Sequence, residues 1–361
     1  MKAMLMLEDG KTFSGHAVGA IKERVGKVVL NTSVVGYQEL ATDPANIGKL
    51  LIMTYPLIGN YGVAPKFNET NKVWAQGMII KENSRVISNW QSKGRFDEFA
   101  KKNGLFVLAG IDTRTLAVHI RQKGEMLGIV SADCYEAKEL MLKLDQYRGA
   151  NSESALAGVS VEKVTVLSGA KPRSKKIAVI DIGITRNIIA QLQRLGFSLV
   201  LLPYTIKPAE IMALKPNGLI ISGGPEEDPG LAGVVDTVKD LIGKVPMMGI
   251  SAGYQVLAQA LGAKVVKLKL GHRGGNYPVH NPGIHKGGIT VQNHGMVVDA
   301  ESISKIKSLK ITGYNLNDHS VEEIESKVLR LFGVQYDPLS PGFDEIHPVF
   351  YKFEKILQRR D

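Results

Sequence analysis

Ile177-Ala-Val-Ile-Asp-Ile182 is a continuous apolar run of strand length, followed by the helical stretch Thr185–Leu195 and a terminating Gly196. The same alternation repeats down the chain. Ser198–Pro203 reads as strand, Pro208–Leu214 as helix, Gly218–Ser222 as strand, Leu231–Gly243 as helix and Val245–Ile250 as strand. Ala252–Leu261 then reads as a helix closed by Gly262. Apolar strands interleaved with helices are buried on both faces and pair in parallel. Residues 176–361 are therefore expected to form a doubly wound α/β domain with its chemistry at the carboxyl ends of the strands.

Upstream the pattern is different. Residues 1–150 read as short strands, irregular loops and a few helices, making a separate mixed α/β domain. Lys27–Asn31 and Val73–Lys81 are expected strands, and Arg95–Lys102 and 136–146 expected helices. The stretch 151–175 turns polar, with Ser, Gly, Pro and Lys, and reads as a linker. A chain of 361 residues fits two such domains at roughly 150 residues each.

Composition narrows the classes. Hydrophobic residues at 44% and charged residues at 22% exclude a largely disordered chain. A single cysteine, Cys134, excludes a disulfide framework and fits a reducing cytoplasm. No signal peptide or membrane span is read, and no Asp/Glu/His cluster has metal-ligand spacing. The 45 Lys+Arg against 35 Asp+Glu give a net charge of +10, but the basic residues are scattered and no nucleic-acid motif accompanies them. Neither nucleic acid nor membrane is expected as a partner.

The sharpest local signal is Gly249-Ile-Ser251-Ala-Gly253-Tyr-Gln255, between a strand and a helix. Small residues at 249 and 253 allow a sharp turn that projects residue 251 at the helix N-terminus, as in a nucleophile elbow. A serine hydrolase built on such an elbow needs an acid and then a histidine, each at the end of its own later strand. Here Val328–Tyr336 is the last expected strand. Asp337 ends it and His347 follows beside the final helix, so a base is lacking. Asp181-Ile-Gly183-Ile-Thr-Arg186-Asn187 also follows a strand, but one glycine is not a dinucleotide fingerprint.

The elbow resembles the Gly-Ile-Cys-x-Gly-His-Gln motif of class I glutamine amidotransferases. Gly271-His-Arg-Gly-Gly-Asn-Tyr-Pro-Val279 and Gln292-Asn-His-Gly295 resemble one branch of them, the small subunit of carbamoyl phosphate synthetase. Leu7-Glu-Asp-Gly10, Asn31-Thr-Ser-Val-Val-Gly-Tyr-Gln-Glu39, Thr54-Tyr-Pro-Leu-Ile-Gly-Asn60 and Ile111-Asp-Thr-Arg114 carry the likeness through the first half. The resemblance implies a subunit that hydrolyses glutamine and passes ammonia to a large partner subunit. ATP and Mg would be bound by that partner, and this chain would hold no cofactor.

Carried over residue by residue, the resemblance also implies loss of the chemistry. A cysteine is replaced by Ser251, and the family's His-Pro-Glu aligns with Asp337-Pro338-Leu339, so nucleophile, base and orienter are all substituted. A serine hydroxyl needs a base where a thiolate does not. None of the eight histidines (16, 119, 272, 280, 285, 294, 319 and 347) falls at the base position. The oxyanion loop, Ser222-Gly-Gly-Pro-Glu-Glu-Asp-Pro229, has one extra residue and places Glu226 where a glycine is usual. Ser33, Gly224, Gln255, Asn293 and Gly295 match the family's glutamine-binding positions, at which Glu226, Ala252 and Met296 are replacements. Two readings of the matching residues stand side by side: retained glutamine binding, or Gln255 packing the elbow helix with Asn293–Gly295 making a turn. Three functions follow from them. One is a docking subunit feeding ammonia-dependent synthesis, another a glutamine-binding sensor or scaffold, and the third a serine hydrolase.

Overall fold

The computed structural model describes residues 1–149, 154–168, 174–283, 286–342 and 344–358. The chain divides into two compact units, Met1–Glu153 with Lys269–Gly274, and Ser154–Leu268 with Gly275–Asp361.

The first unit is built on a closed seven-stranded barrel, which the sequence showed only as scattered short strands. Its strands are β1 (Lys2–Leu7), β2 (Thr12–Ala17), β3 (Arg24–Asn31), β4 (Lys49–Met53), β5 (Gly77–Ile79), β6 (Phe106–Ala109) and β7 (Met126–Ser131). They close in the order β1-β2-β6-β5-β4-β3-β7. Leu5, Val28, Leu50, Ile52, Phe106 and Val130 share one core. Tyr37, Leu51, Met78, Phe96 and Val107 share another, so successive strand residues serve opposite faces. Such strands read as continuous apolar runs rather than alternating ones. Cys134 is buried with Met4, Met6 and Leu144, a small hydrophobe in a packed cluster.

The second unit carries a ten-stranded sheet. In chain order its strands are β8 (Thr165–Leu167), β9 (Lys176–Asp181), β10 (Ser198–Pro203), β11 (Gly218–Ile221), β12 (Met247–Ile250), β13 (Val265–Asn281), β14 (Lys286–Val298), β15 (Lys310–Asn315), β16 (Val321–Ser326) and β17 (Leu331–Val334). The run β10-β9-β11-β12-β17 is parallel throughout. Ala178, Ile180, Leu219 and Met247 face helices Leu231–Leu241 and Ala252–Ala260. Ile177, Val179, Ile220 and Met248 face helices Arg186–Arg194 and Pro348–Gln358. Both sheet faces are covered, which is the doubly wound arrangement expected from the apolar runs.

The linker expectation needs correction. Of 151–175, residues 151–153 and 169–173 lie outside the described residues. The rest includes a helical turn, Leu156–Val159, and β8, which pairs antiparallel with the edge of the sheet at β10. Val166 is exposed on that edge strand, so a polar, Gly-containing sequence concealed a strand that buries little.

Candidate functional site

Strand β12 runs into helix Ala252–Ala260 through Ser251, whose backbone adopts φ 52° and ψ −115°. A non-glycine residue at positive φ is held there by its surroundings. The Ser251 N–H donates to Val334 O at 2.8 Å, tying the elbow to the end of β17, and its carbonyl accepts from Tyr254 and Gln255. Glycines on either side permit the turn. A Cβ on Gly249 would lie 2.6 Å from Gly253 O, and one on Gly253 would lie 2.5 Å from Ser222 O. Ser251 is buried, and among the described residues none of its hydrogen bonds goes through Oγ.

The loop after β11 passes beside the elbow, where a Cβ on Gly223 would sit 3.6 Å from the Ser251 Cβ. Gly224 admits no side chain, because its Cβ would overlap the Ile182 carbonyl. The Ser222 Oγ accepts the Ile182 N–H at 3.0 Å, and Asp228 accepts from Gly230 N, Ala155 N and Ser154 Oγ. Between these anchors Glu226 reaches across to β14. Its carboxylate accepts the backbone N–H of Gly295 at 2.6 Å and of Met296 at 2.9 Å, and the Gln255 Nε2 lies 3.4 Å away. Sequence reading put Glu226 at an oxyanion position, but where its side chain would go could not be read.

Gln255 Nε2 is also 3.1 Å from Met296 O and 3.3 Å from Gln335 Oε1. Ala252, the first residue of the elbow helix, is buried. Asn293 and Gly295 lie inside β14, so strand stands in place of the turn that one of the two readings gave to 293–295. His294 is buried, with Nδ1 2.9 Å from Met296 O and Nε2 3.0 Å from Gln292 Oε1. Ser33 belongs to the first unit, where its N–H donates to Asn31 Oδ1 at 2.9 Å.

Asp337 follows β17, with its N–H on Val291 O at 2.9 Å and its carbonyl accepting the Leu339 N–H. The segment beyond it is pinned by two side chains to which the sequence reading gave no such task. Buried Gln191 donates to Pro338 O and accepts the His347 N–H, and Asn187 Oδ1 accepts the Ser340 N–H. Both are one turn apart on an amphipathic helix, a spacing that marks a shared face but not its partners.

His347 has a structural task. Its Nδ1 accepts the Val349 N–H at 3.3 Å at the start of the last helix, and its ring lies against Tyr336. Burial pushes it down to about 4 from the usual 6.5, so it is neutral at pH 7. A histidine lowered in the folded state takes up its proton only on unfolding, so its stabilising contribution is full above pH 6.5 and is lost as pH falls towards 4. This is expected to be worth on the order of 1–3 kcal/mol. Thermal melts from pH 7 to 4 should decline less steeply for His347→Gln than for the wild type.

Asp181 ends β9 with its carboxylate accepting from Gly183 N, Ile184 N and Val161 N, each at 2.9 Å. Burial raises its carboxyl, and these bonds pull it back. The amides after this strand that a phosphate would need are thus already bonded to the chain itself. No helix among the described residues is long and apolar enough to cross a membrane.

Comparison with known proteins matches residues 5–130 to the family "Carbamoyl-phosphate synthase small chain, CPSase domain" and residues 178–355 to "Glutamine amidotransferase class-I". The carbamoyl phosphate synthase small chain of Akkermansia muciniphila is 38% identical over 99% of this chain and 98% of its own length. That of Chlorobaculum tepidum is 39% identical, with coverage of 99% and 98%. The pyrimidine-specific small chain of Bacillus subtilis is 36% identical, covering 99% of this chain and 96% of its own.

Proposed function

This chain belongs to the carbamoyl phosphate synthase small chain family, and on that premise we propose that it is a docking subunit that has lost glutamine hydrolysis. The observation that carries the reading is the elbow itself. Ser251 stands at the nucleophile position, and its Oγ has no hydrogen-bonded base among the described residues. A serine hydroxyl without a base is a poor nucleophile near neutral pH. Asp337 puts a carboxylate where a neutral imidazole is needed, and Leu339 offers no carboxylate to orient one. The serine-hydrolase alternative loses the histidine that follows Asp337, since His347 caps and packs the last helix.

The task that remains is association with a large subunit that binds ATP and Mg and makes carbamoyl phosphate from free ammonia. The first unit keeps the family's sequence while the catalytic positions of the second have changed, which fits selection for docking. The test is reconstitution with the large chain encoded by the same organism. A stable complex is expected at physiological salt, with synthesis supported by ammonium and not by glutamine. Chains that stay apart on co-purification overturn the docking role. Glutamine-supported synthesis matching the ammonium rate overturns the loss of hydrolysis.

A further inference from the structure

Resting on the reading that the glutamine-binding positions no longer serve hydrolysis, we propose that Glu226 is their built-in occupant, filling the place of a free amino acid's α-carboxylate. The Glu226 carboxylate accepts two successive backbone N–H groups, from Gly295 and Met296, at 2.6 and 2.9 Å. A carboxylate on paired backbone donors is a strong, charge-assisted arrangement, and a diffusing anion would seek the same donors. Gln255, Gly295 and Met296 are three of the positions at which the sequence places glutamine recognition, and each has a polar contact with Glu226, that of Gln255 at 3.4 Å alongside shorter ones to Met296 O and Gln335 Oε1.

The loop explains how a side chain comes to lie there. Gly224 lies against the Ile182 carbonyl, which an added Cβ would overlap, and Asp228 is fastened to Ser154, Ala155 and Gly230. Glu226 lies between these points, in the loop whose sequence carries the additional residue, and spans from the loop to β14. A tethered ligand competes at an effective concentration in the millimolar range or above. A free amino acid must displace it, so the wild-type pocket is closed to glutamine by its own chain. This separates a self-filled pocket from a glutamine sensor, in which the same donors would await the ligand.

Calorimetry on the full chain tests this with L-glutamine, L-glutamate and 4-aminobutanamide, a glutamine analogue without the carboxylate. Wild type is expected to give no measurable heat of binding with any of them. Glu226→Ala should bind the two amino acids at least roughly tenfold more tightly than wild type, as expected when a tethered competitor is removed. Glu226→Gln, which keeps the shape and loses the charge, should gain less, and the analogue should gain nothing with either variant. Melting curves establish that each variant is folded. The proposal is overturned if wild type binds glutamine as tightly as Glu226→Ala. It is equally overturned if folded variants gain no binding, or if the analogue gains as much as the amino acids. Ammonia release is followed in the same samples, and wild-type turnover there would overturn the loss of hydrolysis instead.

Discussion

Ser251→Cys alone is expected to release no measurable ammonia from glutamine. An unperturbed thiol has a pKa near 8.5 and is mostly protonated at pH 7, and no aligned histidine takes its proton. Adding Asp337→His and Leu339→Glu restores the residue types of the triad, at the end of a strand whose Val334 carbonyl already holds the Ser251 N–H. The triple variant should nevertheless remain about 10²–10³-fold below an intact family member, because the loop that should donate to the oxyanion is still altered. Its Glu226 carboxylate would also still hold the Gly295 and Met296 amides. Replacing Ser222–Pro229 by the shorter glycine-bearing loop in the triple background is expected to bring the large gain. Steady-state ammonia release across the series measures this. Robust turnover by Ser251→Cys alone would mean that some other residue serves as the base.

Gly253→Ala is expected to cost more stability than any other single methyl addition at the elbow. The new Cβ would overlap the Ile221 carbonyl and stand 2.5 Å from Ser222 O, and both are backbone atoms at the end of a buried strand. Neither can swing aside as a side chain could, so the elbow helix must shift away from the sheet. Overpacking of this kind costs about 1–3 kcal/mol and occasionally more, and a backbone clash belongs at the upper end. For a unit of this size that lowers the melting temperature by roughly 6–12 °C. Gly233→Ala is the control. It lies in helix Leu231–Leu241 with nothing within 4 Å of the added carbon, so it should stabilise by about 0.5–1 kcal/mol. Differential scanning calorimetry should move the two variants in opposite directions. A Gly253→Ala melt equal to wild type would mean that the elbow is less tightly packed than the geometry indicates.

The sequence by itself determined the parallel layer of the second unit, because its signal is local. Ser198–Pro203 forms the strand its apolar run predicts, and the helices after Thr185 and Ser251 begin where the turn residues place them. It also carries the residues at 251, 337 and 339 on which the proposed loss of hydrolysis rests, since residue identity needs no geometry. The barrel of the first unit was beyond such reading. Its closure depends on pairings such as β1 with β7 and β2 with β6, between residues more than a hundred or about ninety positions apart, and no local period encodes them. Strand β8 was hidden for a related reason, as an edge strand that buries little leaves no apolar pattern. Glu226 shows the division within the site. Its presence in the loop after β11 was legible in the sequence. That its carboxylate turns away to the amides of Gly295 and Met296 was decided by tertiary structure, which alone brings the loop after β11 within hydrogen-bonding reach of β14.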